Sequence, residues 1–299
     1  MDTTPISVYD QYIDTIAYWL YILAGGLLVL ELLWLVYWRR LNKRRIFEML
    51  ASYSPFVPAV LVEILTLTAL ITLYYAVYSF APWQIPLSAW NAGLALVLVD
   101  FIYYWEHRWS HEIRVLWALD HSVHHSSPDF NQSTAYRVSF IAQFFSPLFY
   151  LPLLLLGFHP ALVLSGLGFN LAYQTWVHTE MIGKLGWFEK IFNTPSNHRV
   201  HHGSDPKYLE KNYGAILIIW DRLFGTYQAE EERPVYGLTQ PLNSVNPLKV
   251  HFHEVGKLIR DLRGARSGNE VLGYLFNRPD WIPPVSKDLA IGSEQGSSR

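Results

Sequence analysis

Long apolar runs separated by short polar ones dominate the first 180 residues. Ile13 to Trp38 contains no internal Lys or Arg, and a membrane-crossing helix needs about 20 mostly apolar residues. Further runs follow at Val57–Phe80, Ala89–Trp105, Phe140–Leu156 and Pro160–Val177. The last two are short, carry Pro147 and Pro152, and are joined only by Gly157-Phe158-His159. For them a re-entrant hairpin is the alternative to two full crossings. The pattern predicts an all-α integral membrane protein with about four to five transmembrane helices. The first run is not expected to be a cleaved signal, since no basic region precedes it and Trp34, Tyr37 and Trp38 end it as an interfacial belt.

Charge sets the expected orientation. Arg39-Arg40-Leu41-Asn42-Lys43-Arg44-Arg45 follows the first run, and such a basic loop belongs on the cytoplasmic side. Counting crossings from there places the amino terminus outside. His107 onward, His178 and all that follows then lie at the cytoplasmic ends of spans, as a helical cap. The expected localisation is a multi-pass protein of a bacterial cytoplasmic membrane or the endoplasmic reticulum. Residues 1–285 read as one membrane-embedded domain with its histidine-motif core at about 100–227, followed by a polar tail at 286–299. Glu31 and Glu63 interrupt apolar spans, which suggests a lined cavity or a partner for each.

Composition agrees and removes other classes. The chain is 51% hydrophobic and 16% charged, with 16% aromatic residues, a balance suited to lipid contact. Its net charge of -2 gives no basic footprint for nucleic acid. With no cysteine, thiolate zinc sites and Cys-ligated iron–sulfur clusters are excluded. Any metal must rest on His and oxygen ligands.

The histidines form a pattern. His107 and His111 make HxxxH, His121, His124 and His125 make HxxHH, and His198, His201 and His202 make a second HxxHH. Positions i, i+3 and i+4 of a helix share one face, so each cluster can direct its imidazoles at one point. Eight neutral imidazoles exceed what one four- or six-coordinate ion uses, and imidazole suits iron, zinc, copper or nickel. Two metals are the economical reading. Asn170, Gln174 and His178 repeat every four residues at the inner end of the fifth run, which makes His178 a ninth ligand. Gln174 is a candidate direct or water-mediated tenth, against plain helix–helix hydrogen bonding. Asp100, Tyr104, His107 and His111 form one stripe, so Asp100 is a candidate acceptor for the non-ligating nitrogen of His107, against a plain buried polar contact. Isolated histidines near a membrane boundary are ordinarily interfacial, and His159, His251 and His253 are set apart on that ground.

These motifs resemble the fatty acid hydroxylase/sterol desaturase superfamily from about Asp100 to Tyr227. The resemblance extends to Tyr103-Tyr104-Trp105-Glu106-His107-Arg108, Gln174-Thr175-Trp176-Val177-His178-Thr179-Glu180, Asn193-Thr194-Pro195-Ser196, Lys211-Asn212-Tyr213-Gly214 and Ile219-Trp220-Asp221-Arg222. In these it is similar to the branch of alkylglycerol monooxygenase and its bacterial relatives. Membership in that branch implies a functional role for Glu112, which follows the second His of HxxxH. Asn197 stands where relatives usually carry a further His, and the gap from His111 to His121 looks one residue longer than in that branch.

The resemblance implies an O2-dependent, non-haem di-iron enzyme that hydroxylates a lipid C–H bond, with ether-lipid cleavage or desaturation as variants. Its cofactors would be two iron ions, with O2 as co-substrate. No GxGxxG follows a strand, so electrons are expected from an external donor such as cytochrome b5, a ferredoxin or a reduced pterin. A zinc protease is disfavoured because His111-Glu112-Ile113-Arg114-Val115 lacks the second His of HExxH. A bis-His cytochrome would place single histidines deep in facing spans. A non-catalytic membrane metal-binding or transport protein is the alternative from another class.

Overall fold

The computed structural model describes residues 6–284, and its regular structure is helical, with only isolated β-bridges among the described residues. Helix α1 is Ile6–Tyr37 and α2 is Lys43–Tyr78. The turn between them is built by Arg39 in a left-handed conformation and by Asn42, whose side chain accepts from the Arg45 amide and caps α2. This cap starts α2 well before the apolar run that begins at Val57, and the helix passes through Pro55 and Pro58. By length and composition α2 is the one helix among the described residues suited to crossing a membrane. Ile22–Tyr37 of α1 is a shorter apolar segment.

Polarity is inverted relative to a water-soluble bundle. Val57, Leu61, Ile64 and Leu65 of α2 are exposed, and so are Leu30 and Leu33 of α1, whereas Glu31 and Asp100 are buried. Glu31 accepts from the Gln132 amide (2.6 Å) and the Thr179 hydroxyl (2.6 Å), which ties α1 to two inner segments. A partner was expected for this carboxylate, and these two donors supply it. Glu63 is instead exposed on α2.

Helix α3, Ala89–Glu112, is capped by Ser88 and runs unbroken from apolar residues through His107 and His111. A broken helix, α4, covers residues 114–125, with a π turn at Trp117–His121 between α-helical ends. The run expected as a fourth span is not one helix. It consists of 3-10 turns at Ala142–Phe144 and Ser146–Tyr150 and a single turn at Leu151–Leu155, because Pro147 and Pro152 interrupt the ladder of backbone donors. Helix α5, Pro160–Val177, then packs along α3, where Gly166 sits so close that a Cβ would lie 3.1 Å from Val99. Tyr74, Val99, Tyr150, Leu154, Phe158 and Val163 belong to the apolar core between these elements. The remaining helices are α6, Pro195–His201; α7, Ile219–Phe224; α8, Pro247–Gly264; and α9, Gly268–Phe276. Helix α8 lies over the π turn of α4, with an ion pair between Arg114 and Asp261.

Gly157 closes the short hairpin before α5 at φ +90°, and a Cβ there would lie 2.5 Å from the Trp83 carbonyl oxygen. The same loop is fixed by the Ile85 amide on the Gly157 carbonyl and the Trp83 indole on the Leu156 carbonyl. Gly157→Ala adds both strained backbone and a clash, and residues forced into such regions cost on the order of 1–3 kcal/mol. A lowered thermal unfolding midpoint is the expected result, and an unchanged midpoint would show that the hairpin relaxes freely.

Candidate metal centre

Nine imidazoles meet between α3, α4, the end of α5 and α6. They fall into two groups, His107, His111, His121, His125 and His201 in one and His124, His178, His198 and His202 in the other, and within each group the ligand atoms lie within 4.8 Å of one another. An imidazole–metal bond is about 2 Å, so donors on opposite sides of one ion stand about 4 Å apart. Each group therefore has the span of a single ion. The groups touch through His125 and His202, whose rings stack at 4.3 Å.

The main chain sets which nitrogen faces inward. A carbonyl can only accept, so His107 Nδ1 donates to the Tyr213 carbonyl (2.7 Å), His201 Nδ1 to that of Lys211 (3.0 Å) and His178 Nδ1 to that of Gln174 (2.7 Å). Their Nε2 atoms then carry lone pairs toward the centre. There Nε2 atoms crowd one another: His107 and His121 at 2.8 Å, His125 and His201 at 3.0 Å, His198 and His178 at 2.9 Å. The buried Nε2 atoms of His111 and His202 have no hydrogen-bond partner. Converging lone pairs and orphaned buried nitrogens fit bound cations.

Burial and then neighbouring imidazoles suppress protonation of His107 and His111. Burial first, then repulsion among neighbouring imidazoles, holds His124, His125, His198 and His202 well below the ordinary value. Burial lowers His178 to about 4 and His201 to about 3, although the carbonyl bond of each acts in the opposite sense. Neutral imidazole is the form that binds metal.

The structure brings together all nine histidines singled out by spacing and leaves the other three apart. His159 caps the far end of α5 between Tyr75 and Tyr78, His251 stacks on Phe140, and His253 bonds the Val250 carbonyl. In α4 the π turn ends at His121, a geometry that stores one extra residue within a helix. It lies between His111 and the following cluster, and His121, His124 and His125 still converge. Asn197 donates toward the Glu189 and Phe192 carbonyls, away from the imidazoles.

Two expectations are corrected. Asp100 does not meet His107; it accepts from the Ile216 and Leu217 amides, the Trp220 indole and the Asn170 amide. The 211–217 segment occupies the place beside His107 and supplies the Tyr213 carbonyl. Gln174 does not point its side chain at the cluster, because its oxygen accepts from Tyr103 and its nitrogen donates to Asn170. Its backbone carbonyl, one turn before His178, makes the useful contact. Glu112 pairs with Arg108 at 3.1 Å.

Spacing alone missed Lys211, Tyr213 and Asp221. Asp221 accepts from the Tyr213 and Gly214 amides (both 2.7 Å) and from Thr226. A Cβ on Gly214 would lie 2.5 Å from the Leu217 carbonyl, so only glycine fits there. The signal available was the family-like stretches containing these residues, not any periodicity.

The Fatty acid hydroxylase family model matches residues 92–226. Alkylglycerol monooxygenase of Homo sapiens is 45% identical over 202 residues, covering 68% of this chain and 44% of that protein. The enzyme of the same name from Caenorhabditis elegans is 35% identical over 221 residues, covering 68% and 42%. An ornithine lipid hydroxylase of Rhizobium tropici is 36% identical over 150 residues, covering 50% and 44%. The matches thus span less than half the length of these relatives. No solved structure matches the chain.

Asp100→Ala should weaken metal binding although Asp100 touches no histidine, because loss of support behind a ligand typically costs about 10- to 100-fold in affinity. Titration with a competing chelator reads this out, and wild-type affinity would separate the 211–217 loop from metal binding. Acid stability offers a second check. The histidine values are depressed in the folded state, so the unfolded chain takes up protons first as pH falls through the ordinary 6.5. Stability of the chelator-stripped protein should hold above about 6.5 and decline from there toward about 4. A thermal midpoint flat from pH 7 to pH 5 would contradict this.

Proposed function

Because the chain belongs to the fatty acid hydroxylase family through residues 92–226, we propose that it is a membrane-bound di-iron monooxygenase that hydroxylates a lipid. The observation carrying this reading is the pair of buried imidazole groups with inward lone pairs. His107, His111, His121, His125 and His201 would hold one iron, and His124, His178, His198 and His202 the other. The chemistry such a pair supplies when bound is reductive activation of O2, with electrons from an external donor such as cytochrome b5, a ferredoxin or a reduced pterin. Identity to alkylglycerol monooxygenase over the histidine-bearing part favours an ether lipid as substrate, with cleavage of the ether following hydroxylation; desaturation is a family variant.

The chain's own residues orient ligands and exclude water. Tyr213, Trp117 and Phe130 place their rings against the imidazoles and keep solvent from the centre. Glu112 is a positioning residue: it holds Arg108, which donates to Tyr104, whose hydroxyl meets Thr226 and, through it, Asp221. That chain of contacts ends on the loop whose carbonyls orient His107 and His201. The basic loop 39–45 supports a multi-pass topology with the histidines facing the cytoplasm, and the Glu31 tether supports a single domain. The tail 286–299 lies outside the described residues. A metal transporter is less favoured, since Glu31 and Asp100 are fully engaged in hydrogen bonds rather than lining a path.

Purified protein should contain two iron ions per chain and convert a 1-O-alkylglycerol lipid to a hydroxylated or cleaved product when given O2 and reductant. Single Ala changes at any of the nine histidines should abolish product, with metal content falling, while His159→Ala leaves both near wild type. One metal per active chain, or normal turnover in two of the nine variants, would defeat the di-iron reading.

A further inference from the structure

At the polar end of the α1–α2 hairpin, Arg40, Asn42, Arg45 and Arg233 line a cleft of about 310 Å³. Arg39, Lys43 and Arg44 lie nearby in the same stretch of sequence, and three guanidiniums line the cleft itself. The carboxylates paired with them are two. Asp129 binds Arg45 at 2.9 Å, and Glu180 binds Arg233 at 2.7 Å and Arg40 only loosely at 3.9 Å. Three lining guanidiniums thus face two carboxylates, which leaves the cleft net positive.

Arg40 and Arg233 are exposed, and Arg45 is largely covered. Arg45 is held by Asp129 and by the Arg40 carbonyl, which fixes one wall. Arg40 lies over the Trp34 ring at 4.9 Å, Arg233 is held by Glu180 through two hydrogen bonds, and the side chains of Arg40 and Arg233 are 46% and 65% exposed. The amino end of α2, capped by Asn42, adds its positive dipole end to the same wall. Guanidinium forks match phosphate oxygens in bidentate geometry. Exposed Tyr37 and Trp38 flank the turn, and such residues mark the headgroup level of a bilayer.

The cleft also borders the histidine site. Glu180, on its rim, is two residues beyond His178, and it accepts from the Tyr236 hydroxyl at 3.2 Å. Tyr236 stacks on Phe130 at 5.0 Å, and Phe130 lies 5.0 Å from His202 and 5.6 Å from His178. Glu180 and two stacked rings, Tyr236 and Phe130, connect the arginines to the four-histidine group.

We propose that this cleft binds the phosphate of a glycerolipid headgroup, so that the substrate class is a phosphate-bearing lipid oxidised near its glycerol end. The proposal rests on the lipid monooxygenase reading above. Anchoring the phosphate at Arg40 and Arg233 puts the glycerol end on the side of the cleft bordered by Glu180 and Tyr236, with the tail on the exposed apolar faces of α1 and α2. Glu180 acts as an internal competitor that occupies the guanidiniums until phosphate displaces it.

The test uses the full chain in a phosphate-free maltoside detergent. Native mass spectrometry measures binding of a 1-O-alkylglycerol 3-phosphate, the matching neutral 1-O-alkylglycerol, and inorganic phosphate. The phosphate lipid should bind about tenfold more tightly than the neutral one, as expected for charge-assisted bidentate contacts. The double variant Arg40→Gln, Arg233→Gln should erase that preference without lowering the thermal midpoint, and Glu180→Gln should raise affinity for the phosphate lipid. Equal binding of the two lipids, a double variant that binds as wild type, or inorganic phosphate as tight as the lipid would each overturn the proposal. Product from the neutral lipid with no phosphate preference would sink this inference while leaving the enzymatic reading intact. Arginine-dependent phosphate-lipid binding with no product from any lipid would do the reverse.

Discussion

The bond from His107 Nδ1 to the Tyr213 carbonyl is where the folded chain commits its donor atoms. It fixes one tautomer of a buried imidazole and turns the lone pair of the other nitrogen inward. For that carbonyl to stay in place the 211–217 loop must be rigid, and two buried carboxylates hold it. Asp221 gathers the Tyr213 and Gly214 amides, and Asp100 gathers those of Ile216 and Leu217. Neither acid touches a histidine, yet the aim of His107, and through Lys211 that of His201, depends on both. In an apolar interior an unpaired donor costs too much to leave loose, so rigidity of the loop and satisfaction of its amides are one requirement.

How far this was legible from residue order depends on the range of each contact. Ligand histidines repeat at helical spacing along single helices, so their convergence could be read directly, and the Asn170, Gln174, His178 phase found the ninth. Asp100 shares their stripe, but its partners Ile216 and Trp220 lie more than a hundred positions away, and no periodicity reports on them. Gln174 shows the same limit: its position was right, while the contact that matters is made by its backbone. In Phe140–Leu156 the two prolines were the visible warning against a full crossing, and the short turns found there agree with it.

The same inversion of polarity that places Leu61 and Leu65 outside makes the interior unusually demanding. Its polar groups have no solvent to turn to, so they form long relays such as Glu112, Arg108, Tyr104, Thr226 and Asp221. Relays of this kind couple surface charge to the loop behind the metal ligands and make the site sensitive to residues well outside it.

Glu31 draws the boundary of the working unit. It lies in α1, far upstream of the family-matched residues 92–226, yet its two oxygens clasp the Gln132 amide and the Thr179 hydroxyl. Those positions flank Phe130 and His178 at the imidazole site. The family-matched segment is therefore an arch whose keystone sits in another part of the chain. A fragment trimmed to the matched residues would leave the Gln132 amide and the Thr179 hydroxyl without the carboxylate that accepts from them.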